Sequence, residues 1–300
     1  MTYTLLKYIA IITMLIDHIG LRFASGNLYF ILRYIGRIAF PIFAFQIVEG
    51  YKHTSNLDNY KKRLFIFALI SEIPFNLFLT SSIINPFSQN VLFTLLLGLM
   101  VVEQLDKFRQ KDKRFLRIIL ATILTLLSSI IRADYGYIGV LTVITFYIFD
   151  KYKILQLVTL IIVYGFLTEG LTFSTKPLGM EINTQILGVI ALLPIWLYNG
   201  KRGKTILEII EDNVSRKAGI DNSYTTTDSN GNEVIIETIS PNSDIKSLEE
   251  KAAQEITRLA MNSWKETKLR NKINKVIKYS LYSFYPLHMF ILYLISIIGE

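Results

Sequence analysis

Nine apolar stretches, several of them close to the roughly 20 residues that a bilayer-spanning helix needs, constrain this chain more than any other feature. The chain is 51% hydrophobic over its 300 residues, which is too apolar for an ordinary soluble domain. The sequence therefore predicts an all-α fold, a polytopic membrane helix bundle of about nine spans. The stretches lie at about 5–24, 28–50, 62–80, 90–106, 115–131, 136–150, 154–170, 183–199 and 277–298.

Basic residues occur in alternate connections between these stretches, at 51–63, 107–117, 151–153 and 201–204. The intervening connections hold few basic residues. By the positive-inside rule, this alternation predicts a multi-pass protein with its N-terminus in the cytoplasm and its C-terminus outside. The net charge of +8 is then a consequence of topology. Membrane lipid is an expected partner, and no nucleic acid partner is expected.

Residues 204–275 interrupt the apolar pattern before the last stretch. They predict a short helix at 205–218, a β-hairpin with Asn230 and Gly231 in its turn, and a long helix at 247–275. The plain interpretation is a cytoplasmic α+β insert that covers the inner face of the bundle, and a docking or regulatory module is the alternative. The predicted domains are a bundle of eight spans at 1–203, the insert at 204–275 and the last span at 276–300.

Ionisable side chains interrupt several apolar stretches, although a charge at bilayer depth costs about 2.5–3.5 kcal/mol on insertion scales. Such residues persist mainly where they are paired, face the protein interior and serve a function. The predicted topology places seven of them in one layer in the outer half of the bundle. They are Asp17, His18, Arg33, Arg37, Glu72, Asp134 and His288.

The adjacent Asp17 and His18 allow two arrangements. Asp17 could orient the imidazole or raise its basicity. Neighbouring helical residues diverge by about 100°, however, so Asp17 could instead pair with Arg33 or Arg37 and leave His18 as a general base. Purely structural roles are the alternatives for His18, for Arg37 as an ion pair between the first two spans, and for His288.

A second polar group lies at the predicted cytoplasmic end and comprises Glu49, Lys52, His53, Lys61 and Arg63. A solvated loop is the ordinary interpretation, and a binding patch for an anionic cofactor is the functional one. The chain has no cysteine and three histidines, so no metal site is expected.

Eight motifs, in their order and spacing, closely resemble the TraX family along nearly all of the membrane part. The 204–275 insert is the departure from that pattern. The motifs are MLIDHIG at 14–20, IGRIAFPIFAF at 35–45, VEGYKHT at 48–54, YKKRL at 60–64, SEIPFN at 71–76, DYGYIGV at 134–140, YNGKRG at 198–203 and YPLH at 285–288.

The resemblance implies an enzyme of the bacterial cytoplasmic membrane, because the namesake of that family N-acetylates a conjugative pilin subunit. More distantly, the family is similar to transmembrane acyltransferases that use acetyl-CoA and a membrane-embedded histidine. It implies an acetyl-CoA-dependent acetyltransferase acting on an amine or hydroxyl of an unidentified acceptor, a pilin-like peptide or a surface glycan. His18 is then the expected base, with Asp17 and Arg37 in support.

The remaining site expectations follow from that mechanism. Glu72 and His288 are further catalytic candidates, and Asn90 or Arg37 would stabilise the oxyanion. The basic cytoplasmic group would hold the phosphates of the acyl-CoA donor, and a covalent acetyl-histidine is a variant. Two other classes remain open: a proton-coupled transporter, and a non-catalytic scaffold with the insert as its docking module.

Overall fold

The computed structural model describes residues 1–107, 113–168, 174–175, 182–201, 203–204, 226–227, 233–234 and 282–298, and these are almost entirely helical. A 3₁₀-helix at Thr184–Ala191 precedes the short helix at Leu192–Trp196, and β1 (Ser174–Thr175) pairs antiparallel with β2 (Ile182–Asn183). The helices are α1 (Tyr3–Phe23), α2 (Gly26–Gly36), α3 (Ala39–His53), α4 (Leu57–Thr80), α5 (Val91–Lys107), α6 (Arg114–Ile130), α7 (Gly136–Ile148), α8 (Lys153–Phe166), α9 (Leu192–Trp196) and α10 (Tyr282–Ile298).

About nine helical segments therefore stand where the sequence has its nine apolar stretches, counted over the described residues and with α2 and α3 taken together. Three of them are long and apolar enough to cross a membrane: Tyr3–Phe23, Gly26–His53 and Leu57–Thr80. The chain is a membrane protein on this basis. The number of true spans and the orientation of the termini stay predictions.

The outward face of α4 shows what surrounds the bundle. Five large apolar side chains along this helix are each about half exposed, namely Phe65, Ile66, Leu69, Ile70 and Ile73. In water, such a continuous apolar face would be an aggregation site. In a bilayer it contacts lipid tails at no cost, which agrees with α4 as a membrane helix.

The second apolar stretch is broken at Arg37 and Ile38, although the sequence predicts one continuous span there. Pro41 explains the break, because a proline removes the hydrogen bond to the carbonyl four residues earlier and clashes with it. That carbonyl belongs to Arg37. The backbone N–H of Arg37 is shared between the carbonyl of Arg33, as in an α-helix, and the carbonyl of Tyr34, as in a 3₁₀-helix. Pro194 accompanies the 3₁₀ segment before α9 in a similar way, and the eighth predicted stretch is correspondingly shorter in its α-helical part.

Helix α3 is central in the bundle and packs against α1, α5, α7 and the 3₁₀-helix. Close packing between α5 and α7 depends on Gly139, because an added Cβ there would lie 2.5 Å from Cγ2 of Thr94 and 2.8 Å from Cζ of Phe40. Small residues that let helices approach closely are typical of membrane bundles.

Two compact units are distinguished by their internal contacts: 1–203 with 282–300, and 204–281. In the second unit, β3 (Thr226–Thr227) pairs antiparallel with β4 (Glu233–Val234), and the Asn-Gly turn that the sequence predicts lies outside the described residues. The two helices predicted for the insert lie outside the described residues, so its α+β character stays a prediction.

We expect the substitution Gly139→Ala to destabilise the bundle by about 1–3 kcal/mol, because the new methyl group overpacks the α5–α7 contact. The measurement is the thermal unfolding midpoint of the purified protein in detergent. Gly165→Ala is the matched control, since its added Cβ meets only Cδ1 of Ile186, at an ordinary 3.6 Å. Equal midpoints for the two variants would contradict the packing argument.

Candidate functional site

A cavity of about 280 Å³ with both apolar and charged lining residues lies within the bundle, between α1, the α2–α3 break, α4, the 3₁₀-helix and α10. Its apolar wall includes Met14, Phe40 and Phe75. Its polar wall brings together groups from distant parts of the sequence, among them Asp17, His18, Arg37, Asp134, Tyr135 and Gln185. Five of the seven residues of the predicted layer therefore line this cavity: Asp17, His18, Arg33, Arg37 and Asp134.

Asp17 is shared by two arginines. Its Oδ2 accepts a hydrogen bond from Nη1 of Arg33 at 2.5 Å, and its Oδ1 accepts one from Nη2 of Arg37 at 3.0 Å. All three side chains are nearly buried, at 11–12% exposure. The close contact requires Gly36, because a Cβ there would lie 2.0 Å from Oδ1 of Asp17. The sequence allows Asp17 to orient His18 or to pair with an arginine, and in the structure it pairs with both arginines.

Each of the three guanidinium nitrogens of Arg37 donates within the protein. Nε donates to the carbonyl of Arg33 at 3.3 Å, Nη1 to Oε1 of Gln185 at 3.2 Å, and Nη2 to Asp17. A guanidinium that is hydrogen-bonded at all three nitrogens is held in one orientation. Arg37 thus joins α1, the helix break and the 3₁₀-helix, and it contributes fixed positive charge to the cavity wall.

His18 turns the other way, toward α10. Its Nδ1 lies 2.7 Å from Nε2 of His288, and the two rings are inclined by only 22°, which suits an in-plane hydrogen bond. Nδ1 of His288 lies in turn 2.8 Å from the carbonyl oxygen of Phe284. His18 borders the cavity, whereas the buried His288 stands behind it.

Two paired loops shape one end of the cavity. Gln89 and Ala133 form an isolated bridge, in which Gln89 donates to the carbonyl of Arg132 at 3.0 Å. Tyr135 follows with a positive φ of 65°, a strained conformation for this residue type, and its ring stacks on Phe40 at 3.9 Å between centroids. Asp134 is exposed and borders the cavity, which places the opening at this end.

Glu72 and Asn90 do not join the cavity, contrary to the predicted layer. Among the described residues, neither belongs to its wall. Oε1 of Glu72 accepts from the backbone N–H of Asn90 at 2.9 Å and also from its side-chain amide. That amide donates to the carbonyl of Ala68 as well, so Asn90 has no amide proton left for an oxyanion. The pair joins α4 to the start of α5.

A second cavity of about 380 Å³ lies at the opposite end of α3. We call this end, which carries Lys52, His53, Lys61 and Lys107, the basic end. Three of the predicted cofactor-binding residues, Glu49, Lys52 and His53, border this cavity. Nζ of Lys52 donates to Oε1 of Glu49 at 2.9 Å and to Oδ1 of Asp150 at 2.5 Å.

The other predicted members of the cofactor patch lie apart from this cavity. Lys61 pairs with Glu103 at 2.8 Å and with Asp58 at 3.0 Å, and the guanidinium of Arg63 lies 5.6 Å from the ring centroid of Tyr60. Asn90, the candidate for stabilising the oxyanion and a further predicted cofactor-binding residue, is at the far end of the bundle with Glu72. The predicted patch is therefore divided into separate groups, because shared depth does not imply a shared helix face.

The comparison with family models matches residues 2–208 of the chain to TraX, described as TraX protein. This match spans more than half of the sequence. The chain belongs to the TraX family. It is also 28% identical over 212 residues to the "Probable fimbrial assembly protein FimC, serogroup H1" of Dichelobacter nodosus, which covers 66% of this chain and 84% of that protein. No solved structure matches the chain.

The TraX match contains every cavity residue from α1 to the 3₁₀-helix, and it ends before α10. Three residues that border the cavities are not among the site residues predicted from the sequence. Gln185 could have been found as a polar side chain within an apolar stretch. Lys153 and Trp196 carried no such signal, because a lysine and a tryptophan at helix ends are common in membrane proteins.

We expect Asp17→Asn to destabilise this TraX-family protein by about 3–5 kcal/mol, because it leaves two buried guanidiniums without their carboxylate. Asp150→Asn is the matched control. Its carboxylate is 39% exposed, so losing the ion pair with Lys52 should cost no more than about 1 kcal/mol. Unfolding in detergent measures both variants. A D17N midpoint as high as that of D150N would show that the arginines do not depend on Asp17.

Proposed function

We propose that the protein is a membrane acyltransferase that transfers an acetyl group from acetyl-CoA to an amine or hydroxyl of an acceptor. The observation that carries this proposal is the position of His18. Its imidazole borders a polar cavity, is anchored at Nδ1 by His288, and sits beside the fixed positive charge of Arg33 and Arg37.

The transfer step assigns one role to each group. Nε2 of His18 accepts the proton of the acceptor N–H or O–H while the new bond to the acyl carbon forms. The C–S bond of the thioester breaks, and the imidazolium returns its proton to the departing thiolate, which leaves as the free thiol of CoA. The guanidinium charge of Arg37 favours the negative charge that develops on the carbonyl oxygen.

The acyl donor is proposed to bind at the basic end. The second cavity contains Lys52 and Lys153 for phosphate groups, and the indole of Trp196 for a base. Helix α3 forms a wall of both cavities, with Phe43 in one and Phe45 in the other, so its length leads from the basic end to His18. This arrangement supports a cytoplasmic basic end and an acceptor that reaches His18 from the opposite side.

The acceptor is proposed to be a peptide of a surface fibre. The fimbrial-assembly name of the relative from Dichelobacter nodosus favours such a peptide over a surface glycan. The carboxylate of Asp134, a residue of the cavity wall, suits a cationic acceptor group, such as an ammonium that loses one proton before it attacks.

We expect His18→Ala to lower acetyl transfer by about 100- to 10,000-fold, the usual contribution of a positioned general base. The assay uses the protein reconstituted in liposomes with labelled acetyl-CoA and an amine-bearing pilin-type peptide, and it follows both labelled product and free thiol. Thr13→Ala is the matched control on the same helix, because its hydroxyl donates only within α1, to Ile9 and Ala10.

Wild-type activity surviving in H18A would overturn the assignment of His18. Uptake of a solute driven by a proton gradient, without release of CoA thiol, would instead support the transporter class.

We expect Lys153→Gln to raise the KM for acetyl-CoA by about tenfold, because a hydrogen bond to a charged group contributes about 1.5 kcal/mol. The kcat should change little, since Lys153 lies at the basic end, away from His18. Lys113→Gln removes an exposed lysine that does not border the described cavities and serves as the control. An unchanged KM in K153Q would place the donor elsewhere.

A further inference from the structure

The hydrogen bonds behind His18 form a chain whose direction is fixed at one end. The carbonyl oxygen of Phe284 can only accept, so the Nδ1 atom of His288 that lies 2.8 Å from it carries a proton. In a neutral imidazole the other nitrogen is then an acceptor. Nε2 of His288 therefore accepts from Nδ1–H of His18 at 2.7 Å.

We infer that His288 is a positioning residue that holds His18 in the Nδ1–H tautomer and thereby presents the unprotonated Nε2 of His18 to the acceptor. Among the described residues, no group hydrogen-bonds this Nε2. The carbonyl of Phe284, one turn earlier on α10, sets the donor-to-acceptor direction of both hydrogen bonds. This role rests on the proposed function, because only a base needs its lone pair aimed at a substrate.

The surroundings of His288 support positioning over direct participation. His288 is 5% exposed and does not border the cavity, although its neighbours on α10, Tyr285 and Met289, do. Its ring is held between Phe284, with centroids 4.9 Å apart, and Tyr285, at 5.8 Å. The predicted catalytic role of His288 is corrected in this respect: it acts through His18 and does not touch the substrate.

The tautomers can be measured in the resting protein, without any substrate. The chain has only three histidines, so ¹⁵N-histidine labelling and long-range ¹H–¹⁵N correlation in detergent give few signals. Removal of His53, which lies at the basic end, assigns its own signals. We expect both His18 and His288 to carry the proton on Nδ1. A proton on Nε2 of His18 would overturn the inference.

Two substitutions of His288 separate positioning from packing. His288→Leu removes the acceptor, so the Nδ1–H form of His18 should no longer be fixed and kcat should fall by about 10- to 100-fold. The KM for acetyl-CoA should not change. His288→Gln restores an acceptor oxygen near the former Nε2, and most of kcat and the Nδ1–H signal should return. Ser296→Ala, which loses a local bond on the same helix, is the control.

The outcomes distinguish this inference from the proposed function. An unchanged His18 tautomer in H288L, or a Gln variant no better than Leu, would overturn the role of His288. A wild-type protein that shows the expected tautomers but transfers no acetyl group to any acceptor would overturn the acyltransferase function, while the fixed tautomer would stand as a structural fact.

Discussion

The bundle depends on one shared carboxylate. Asp17 forms ion pairs with both Arg33 and Arg37 and offsets part of their charge. Without it, two guanidiniums would stand uncompensated in a low-dielectric interior. The contact is possible only because Gly36 lets α2 approach α1, and because Pro41 breaks the helix just after Arg37. The helix break and the ion pairs thus occur in the same part of the bundle, and Asp17, Arg33 and Arg37 also line the cavity.

These ion pairs explain why the adjacent residues Asp17 and His18 have different partners. Asp17 and His18 are adjacent, and helix geometry separates their side chains by about 100°. The carboxylate therefore points to the arginines, and the imidazole points to α10, where it meets His288. Asp17 supports the structure of the cavity, and His18 keeps Nε2 without a hydrogen-bond partner among the described residues.

Much of the fold and part of the candidate site can be predicted from the sequence, because a charge inside an apolar stretch is costly and therefore marks a residue with a partner or a function. The apolar stretches and the Asp17–arginine pairing could be predicted from periodicity and depth. Glu72, Asn90, Lys61 and Arg63 do not line the two described cavities, because topology gives the depth of a residue in the membrane but not its direction around the helix. Gln185 and the His18–His288 contact depend on helices more than 140 positions apart, which only tertiary packing brings together.

In the proposed function, the charged groups of the cavity are scaffolding and the imidazole of His18 is the reactive group. Asp17 and each nitrogen of Arg37 have partners in the protein, so neither can move to a substrate without breaking contacts that stabilise the fold. A preorganised charge of this kind needs no reorganisation when a reaction occurs, and it acts most strongly where water is scarce. A proton acceptor has the opposite requirement, since its lone pair must stay open to the substrate. Nε2 of His18 is the cavity atom that meets this requirement, and the bond at Nδ1 keeps it so.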